Sequence, residues 1–387
     1  MRSFARLATA GGVAMATTAL LAGTGLAATQ QQRGSSGASG PSGQSAGEVF
    51  VQTDSTSGNA VVVYDRNPDG TLSNAGSYRT GGLGGVLNGS VVDHLASQGS
   101  LAYDQVHGLL YAVNAGSNTV TVFSVAGGRL VRRQVIASGG DFPVSIAIHG
   151  NLVYVLNARD GGSVQGFVRV GSALVRIPGS HRALGLNAAQ TPEFTSTPGQ
   201  VAFTPDGSKL IVTTKGNGSN IDVFSVNFLG GLSARPVVNA DPGAVPFAVS
   251  FDAGGHLAVA EAGPNAVATF TVNRDGTLTL VDRVATGQSA TCWIAPAGTA
   301  FYASNAGSGS LSGYADNGSG TLQSLGNTST DPGTVDAAAS SGGQYLYAQT
   351  GGKGIVDEYR VNAGGSLTEI GSVTVPGAVG GEGIAAS

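Results

Sequence analysis

The sequence predicts an all-β protein, a seven-bladed β-propeller whose C-terminal strand closes the first blade. Three observations carry the prediction. A unit of apolar run, small-residue turn and second apolar run, as in LLYAVNAGSNTVTVFSV from Leu109, recurs along the chain, and an internal repeat is read before anything else. The composition, with 63 Gly in 387 residues and 11% charged residues, suits many short strands joined by tight turns. The two ends are incomplete in complementary ways, which a ring resolves.

Taken in order, residues 1–28 read as an export signal. Arg2 and Arg6 form a positive start, an apolar small-residue stretch runs from Leu7 to Leu26, and cleavage is expected near Ala27 or Ala28. The mature protein is therefore expected to be secreted and without a membrane span. Residues 29–47, rich in Gln, Ser and Gly, read as a linker without periodicity. Residues 48–387 form the propeller. Cys292 is the one cysteine, so no internal disulfide is available and stability rests on core burial and ring closure.

Each repeat reads as four strands, a to d. Copies of the b–c pair begin at Val49, Leu109, Leu152, Leu210, Leu257, Phe301 and Leu346. Strand d follows a glycine turn in most copies, such as Asp69-Gly70-Thr71-Leu72 and Asp275-Gly276-Thr277-Leu278. The first copy lacks an a strand. The last residues, Gly383-Ile384-Ala385-Ala386, have a-strand character with no b strand after them. The C-terminus is thus expected to supply the innermost strand of the first blade. Two insertions, Thr80–Ser97 and Gly185–Thr197, both fall in d–a connections. The b–c and d–a connections share one face of a propeller, so that face is marked as the working one.

A net charge of -4 with no Lys/Arg cluster argues against nucleic acid as a partner. The ends of the b strands place Thr53, Asn114, Asn157, Thr214, Glu261, Asn305 and Thr350 towards the channel mouth, with Lys215 beside them. The d–a entries add Asp93, His94, Gln98, Asp141, Gln200, Cys292, Trp293 and Asp336. Glu261 is the carboxylate of the b-strand ring and Lys215 the ammonium near it, candidates for a general base and an oxyanion holder, or for a pair with each other. Gln98, Asn114, Asp141, Asn157, Gln200, Trp293 and Asn305 are the candidate ligand-binding residues, although Asn at a strand end also caps backbone groups. His107, His149 and His256 fall at a–b turns on the opposite face and His181 near the rim, which leaves His94 alone on the working face. No metal site and no cofactor are expected.

The b–c unit LLYAVNAGSNTVTVF resembles the bacterial YVTN-type propeller repeat. The runs Ser97-Gln98-Gly99-Ser100-Leu101, Phe142-Pro143-Val144-Ser145, Pro198-Gly199-Gln200-Val201, Val245-Pro246-Phe247, Cys292-Trp293 and Asn305-Ala306-Gly307-Ser308-Gly309 resemble exported actinobacterial members of the lactonase propeller family. That family includes 6-phosphogluconolactonase and 3-carboxymuconate cyclase-like lactonizing enzymes, so the resemblance implies a lactone- or muconate-like ligand. The cytosolic phosphogluconolactonases look richer in His and Arg on the working face, whereas here the fourth blade is entered by Pro198-Gly199-Gln200. The reading that follows is an exported, monomeric propeller binding a small molecule, glycan or protein at its channel mouth, without the phosphogluconolactonase reaction. The alternative is an exported lactone hydrolase or muconate-type lactonizing enzyme using Glu261 and Lys215.

Overall fold

The structure, a computed structural model, describes residues 46–387. The expected export signal and all but the end of the linker lie outside the described residues.

Seven antiparallel sheets form the blades. Blade 1 has strand b at Glu48–Gln52, c at Ala60–Arg66 and d at Leu72–Arg79. Its a strand is Ile384–Ala386, which pairs with strand b in the register Val49↔Ala386, Phe50↔Ala385 and Val51↔Ile384. The ring therefore closes as the two incomplete ends of the chain predict. Bonds at both ends of the joint fix it: Gln52 N donates to Gly383 O (2.8 Å) and Ser387 N to Glu48 O (2.9 Å). Ile384 is buried with Val49 and Val51, so the joint also removes apolar surface from water.

Blades 2, 4, 5, 6 and 7 are four-stranded. Blade 3 departs from the pattern. Its outer edge is split into Ala173–Arg176 and Arg182–Ala183, which pair separately with Ser163–Val170. The c–d turn at Gly171-Ser172 is kept, but beyond Arg176, Pro178 has no N–H to continue a ladder.

The b strands are apolar on both faces because a blade packs against a neighbour on each side. A tyrosine on strand b also ties blades together. Tyr154 donates to Gly230 O (2.6 Å), Tyr302 to Gly365 O (2.7 Å) and Tyr347 to Gly70 O (2.8 Å), each in the c–d turn of the next blade. Those glycines have φ between +80° and +94°, and a Cβ on Gly70 would collide with the Tyr345 ring. Among the described residues no helix is long and apolar enough to cross a membrane.

Candidate functional site

The two insertions meet on the face where the b–c and d–a connections lie. Asn88 N donates to Glu193 Oε2 (2.7 Å), and Phe194 N donates to Asn88 O (3.3 Å). The second insertion ends in a short helix, Glu193–Ser196. The first insertion then turns inward and fills the axis. His94 N donates to Gly380 O (2.8 Å), Ser97 Oγ to Val144 O (2.9 Å) and Gln98 N to Gly199 O (3.2 Å). Trp293 Nε1 donates to Ser97 O (2.6 Å). Gln98 both donates to Ile294 O and accepts from Ile294 N, each at 2.9 Å. Residues 93–98 thus form a plug bonded to several blades at once.

Lys215 follows strand b of blade 4 (Lys209–Thr213) with φ +51° and folds its side chain beneath the plug. It is 1% exposed. Its Nζ donates to Ala96 O (2.6 Å), Phe194 O (2.6 Å) and Thr197 Oγ1 (2.9 Å), and lies 5.2 Å from the centre of the Phe247 ring. Burial pulls its pKa down to about 7, while Asp93 and Cys292 push it back up. Three bonds to oxygen acceptors use all three hydrogens of an ammonium, so the geometry holds the charged form. Lys215 is thereby the joint between both insertions and blade 4.

Glu261 does not meet Lys215. It is fully buried at the end of strand b of blade 5 and pairs with Arg283 of strand d in the same blade, with contacts of 2.8 Å to both carboxylate oxygens. Arg283 Nη2 also holds Asp241 at 2.6 Å. Burial raises the Glu261 pKa to about 7, and the Arg283 guanidinium opposes that rise. This ion network clasps blades 4 and 5 away from the channel mouth.

The asparagines of the b-strand ring turn into their own strand ends. Asn114 Nδ2 donates to Thr121 Oγ1 (2.9 Å) and its Oδ1 accepts from Asn59 (3.2 Å). Asn305 donates to Ser312 Oγ (2.9 Å) and accepts from Thr291 Oγ1 (2.6 Å). Asn157 lies 3.5 Å from Ser163 Oγ. All three are fully buried. Gln200 Oε1 accepts from Val249 N (2.6 Å) at the irregular start of blade 5's inner strand. Asp141 precedes the inner strand of blade 3, its carbonyl accepting from Arg159 N (3.1 Å). His107 and His256 bond to Asp104 (2.7 Å) and Asp252 (2.8 Å) in their a–b turns.

What does converge at the mouth is a pocket of about 270 Å³ beside the plug. Its walls are Val91, Val92, Phe194, Phe247 and Trp293, and its polar members are Asp93 and Cys292. Phe247 and Trp293 pack with ring centres 4.9 Å apart at 58°. Asp93 accepts from Leu95 N (2.9 Å) and Ser97 N (3.1 Å), turning its charge into the plug's own backbone. Burial lifts its pKa to about 6 against those bonds and Lys215. Burial pushes the Cys292 thiol up to about 12, which removes the thiolate a nucleophile needs. His94 packs its imidazole over Gly380 instead of serving that thiol.

Below the plug lie Asp54, Asp336 and Glu382, all buried. Burial raises Asp54 and Asp336 to about 7 and Glu382 well above the usual carboxylate range. Ser97 Oγ, whose hydrogen goes to Val144 O, lies 3.0 Å from Glu382 Oε2, and Glu382 N donates to Asp54 Oδ2 (2.7 Å), which places these groups against the plug. Among the described residues no three His, Cys, Asp or Glu side chains are placed to hold a metal ion.

The fold and site define a seven-bladed propeller with a plugged axis and an aromatic pocket at its insertion-bearing mouth. The chain belongs to the family described as lactonase, 7-bladed beta-propeller, which matches residues 185–381. No curated protein matches it. Among solved structures it is similar to a Lactobacillus plantarum protein at 19% identity, covering 88% of this chain and 99% of that one with a TM-score of 0.69. It is similar to the periplasmic gluconolactonase of Pseudomonas aeruginosa at 18% identity, 88% and 98% coverage and a TM-score of 0.68. A virginiamycin B lyase from Staphylococcus aureus matches at 13% identity, 76% and 89% coverage and a TM-score of 0.53. At these identities the likeness is one of fold.

Proposed function

We propose that this chain is an exported binding propeller that holds a small, mainly apolar ligand in the aromatic pocket at its channel mouth, without turning it over. The observation that carries the reading is the contrast between the pocket and the titratable groups around it. The walls offer three aromatic rings and two valines to a ligand. The groups that could do chemistry are already engaged: Glu261 with Arg283, Lys215 with three oxygen acceptors, Asp93 with backbone amides. Hydrolysis of a lactone needs a base poised near neutrality within reach of a water, and an oxyanion donor with a free hydrogen. Neither stands free in this pocket. Export rests on the sequence of residues 1–28.

The test measures binding and turnover side by side. A panel of lactones graded in ring size and alkyl chain is titrated calorimetrically into the mature protein while proton release is followed. Binding that strengthens with apolar surface, with proton release at background, is expected. Turnover abolished by Lys215→Ala or Glu261→Gln in folded protein would replace this reading with the lactone-hydrolase one.

A further inference from the structure

The helix Glu193–Ser196 has a pocket on each side. Phe194 lines the aromatic one. Glu193, Ser196 and Thr197 line a second hollow of about 180 Å³, completed by Arg159, Asp160, Asn187, Gln190 and Asn217. The two open on the same face, and a helical turn is roughly 10 Å across with its side chains. We infer that the ligand is amphipathic, with its apolar part in the aromatic pocket and a neutral, hydroxyl-rich head in this second hollow. The inference rests on the aromatic pocket being the binding site.

The chemistry of the hollow selects the head. Arg159 lies 4.2 Å over the Phe142 ring, and its Nε donates to Glu193 Oε1 (2.7 Å), so the guanidinium plane is fixed. Burial alone would raise the Glu193 pKa, but the bonds from Arg159 and Asn88 hold it below the usual range, so the pair is ionic and internally neutral. Asp160 then adds a carboxylate, which disfavours a phosphate or carboxylate head. Asn217 braces the hollow by donating to Asn187 O (2.9 Å) and Ser196 O (3.0 Å).

The remaining valences are mixed. Arg159 engages Nε and Nη2 and leaves Nη1 to donate. Asn187 engages Oδ1 with Ala189 N (3.1 Å) and leaves Nδ2 to donate. Gln190 engages Nε2 with Gly216 O (3.3 Å) and leaves Oε1 to accept, as does the Asp160 carboxylate. A hydroxyl donates and accepts at one atom, so a set of vicinal hydroxyls answers this arrangement where an apolar or singly charged group does not. A sugar or polyol carrying a short alkyl or aryl group is the ligand class this defines.

The experiment uses the emission of Trp293, the chain's one tryptophan and a wall of the aromatic pocket. Hexanol is titrated against hexyl glucoside, hexyl galactoside and hexyl mannoside, in the mature protein and in Arg159→Gln and Gln190→Ala. At least one hexyl glycoside is expected to bind tenfold or more tightly than hexanol, and that ratio, taken within each variant, is expected to collapse towards one in both. A response to hexanol with no gain from any glycoside overturns this inference alone, as does a gain that survives in both variants. No response to hexanol or to any glycoside overturns the aromatic-pocket reading together with it.

Discussion

The carboxamide of Gln98 pairs with the backbone of Ile294, donating to its carbonyl and accepting from its amide at 2.9 Å each, although 196 positions of chain separate the two residues. The amide copies one rung of a β-ladder at a place where the inner strand of blade 6 is irregular and has no neighbour to supply it. That rung holds the plug in the axis. Gln98→Leu leaves a buried N–H and C=O unpaired, so a loss of about 2–4 kcal/mol is expected, and Gln98→Glu should restore little because a carboxylate cannot donate. Urea denaturation of the three proteins checks this.

Lys215 should behave as a structural joint. Lys215→Met keeps the chain length but strands two carbonyl oxygens and the Asp93 charge, with an expected cost of about 3 kcal/mol. Because Nζ bonds to Phe194 O and Thr197 Oγ1, limited proteolysis of the variant should begin in residues 185–197. Cleavage at the same rate and place as in the parent would contradict the role.

The buried carboxylates set a pH dependence. Burial raises Asp54 and Asp336 to about 7 and Asp93 to about 6, against about 3.9 for Asp in the unfolded chain. The folded state therefore binds more protons than the unfolded one between about pH 4 and pH 7, and stability falls as pH rises through that window. The carboxylates held low, such as Asp206 and Glu193, act in the opposite sense only below that window. Lys215, pulled down to about 7, acts in the opposite sense only above that pH, so the protein should be more stable at pH 5 than at pH 7 by at least about 2 kcal/mol, and Glu382→Gln should shrink the difference. Melting curves across that range measure it.

Cys292 should be nearly inert although it lines the pocket. With its pKa pushed to about 12, the thiolate fraction at pH 8 is about a thousandth of that of a free cysteine. Alkylation by iodoacetamide, followed by mass spectrometry, should be slower by about that factor until the protein is unfolded.

How much of this was legible in the sequence differs between fold and site. The blades were legible because the b–c unit repeats, and the closure because Ile384–Ala386 is an a strand without its b strand. The split edge of blade 3 departs from the repeat. The asparagine ring was legible as residues but not as a mouth: Asn114 and Asn305 satisfy hydroxyls of their own c strands. Glu261 stood out as a carboxylate among amides, yet its partner Arg283 lies on strand d. The c–d register that presents Arg283 contains a shift between Thr269 and Phe270, so counting residues back from the c–d turn does not give its pairing. Lys215 was visible, but its acceptors Ala96 and Phe194 sit in two insertions without periodicity. The pocket draws Val91 and Phe194 from the two insertions and Phe247 and Trp293 from two inner strands. Of these four, Trp293 alone is among the ligand-binding candidates that the sequence offers.

The most direct measurement is the emission of Trp293 as the lactone panel is added to the mature protein, with hydrolysis followed in the same samples. The account predicts a saturable change whose affinity rises with the apolar surface of the ligand, weakens about tenfold or more in Phe247→Ala, and comes with hydrolysis at background. Unchanged emission across the panel, or a change that Phe247→Ala leaves intact, would contradict it.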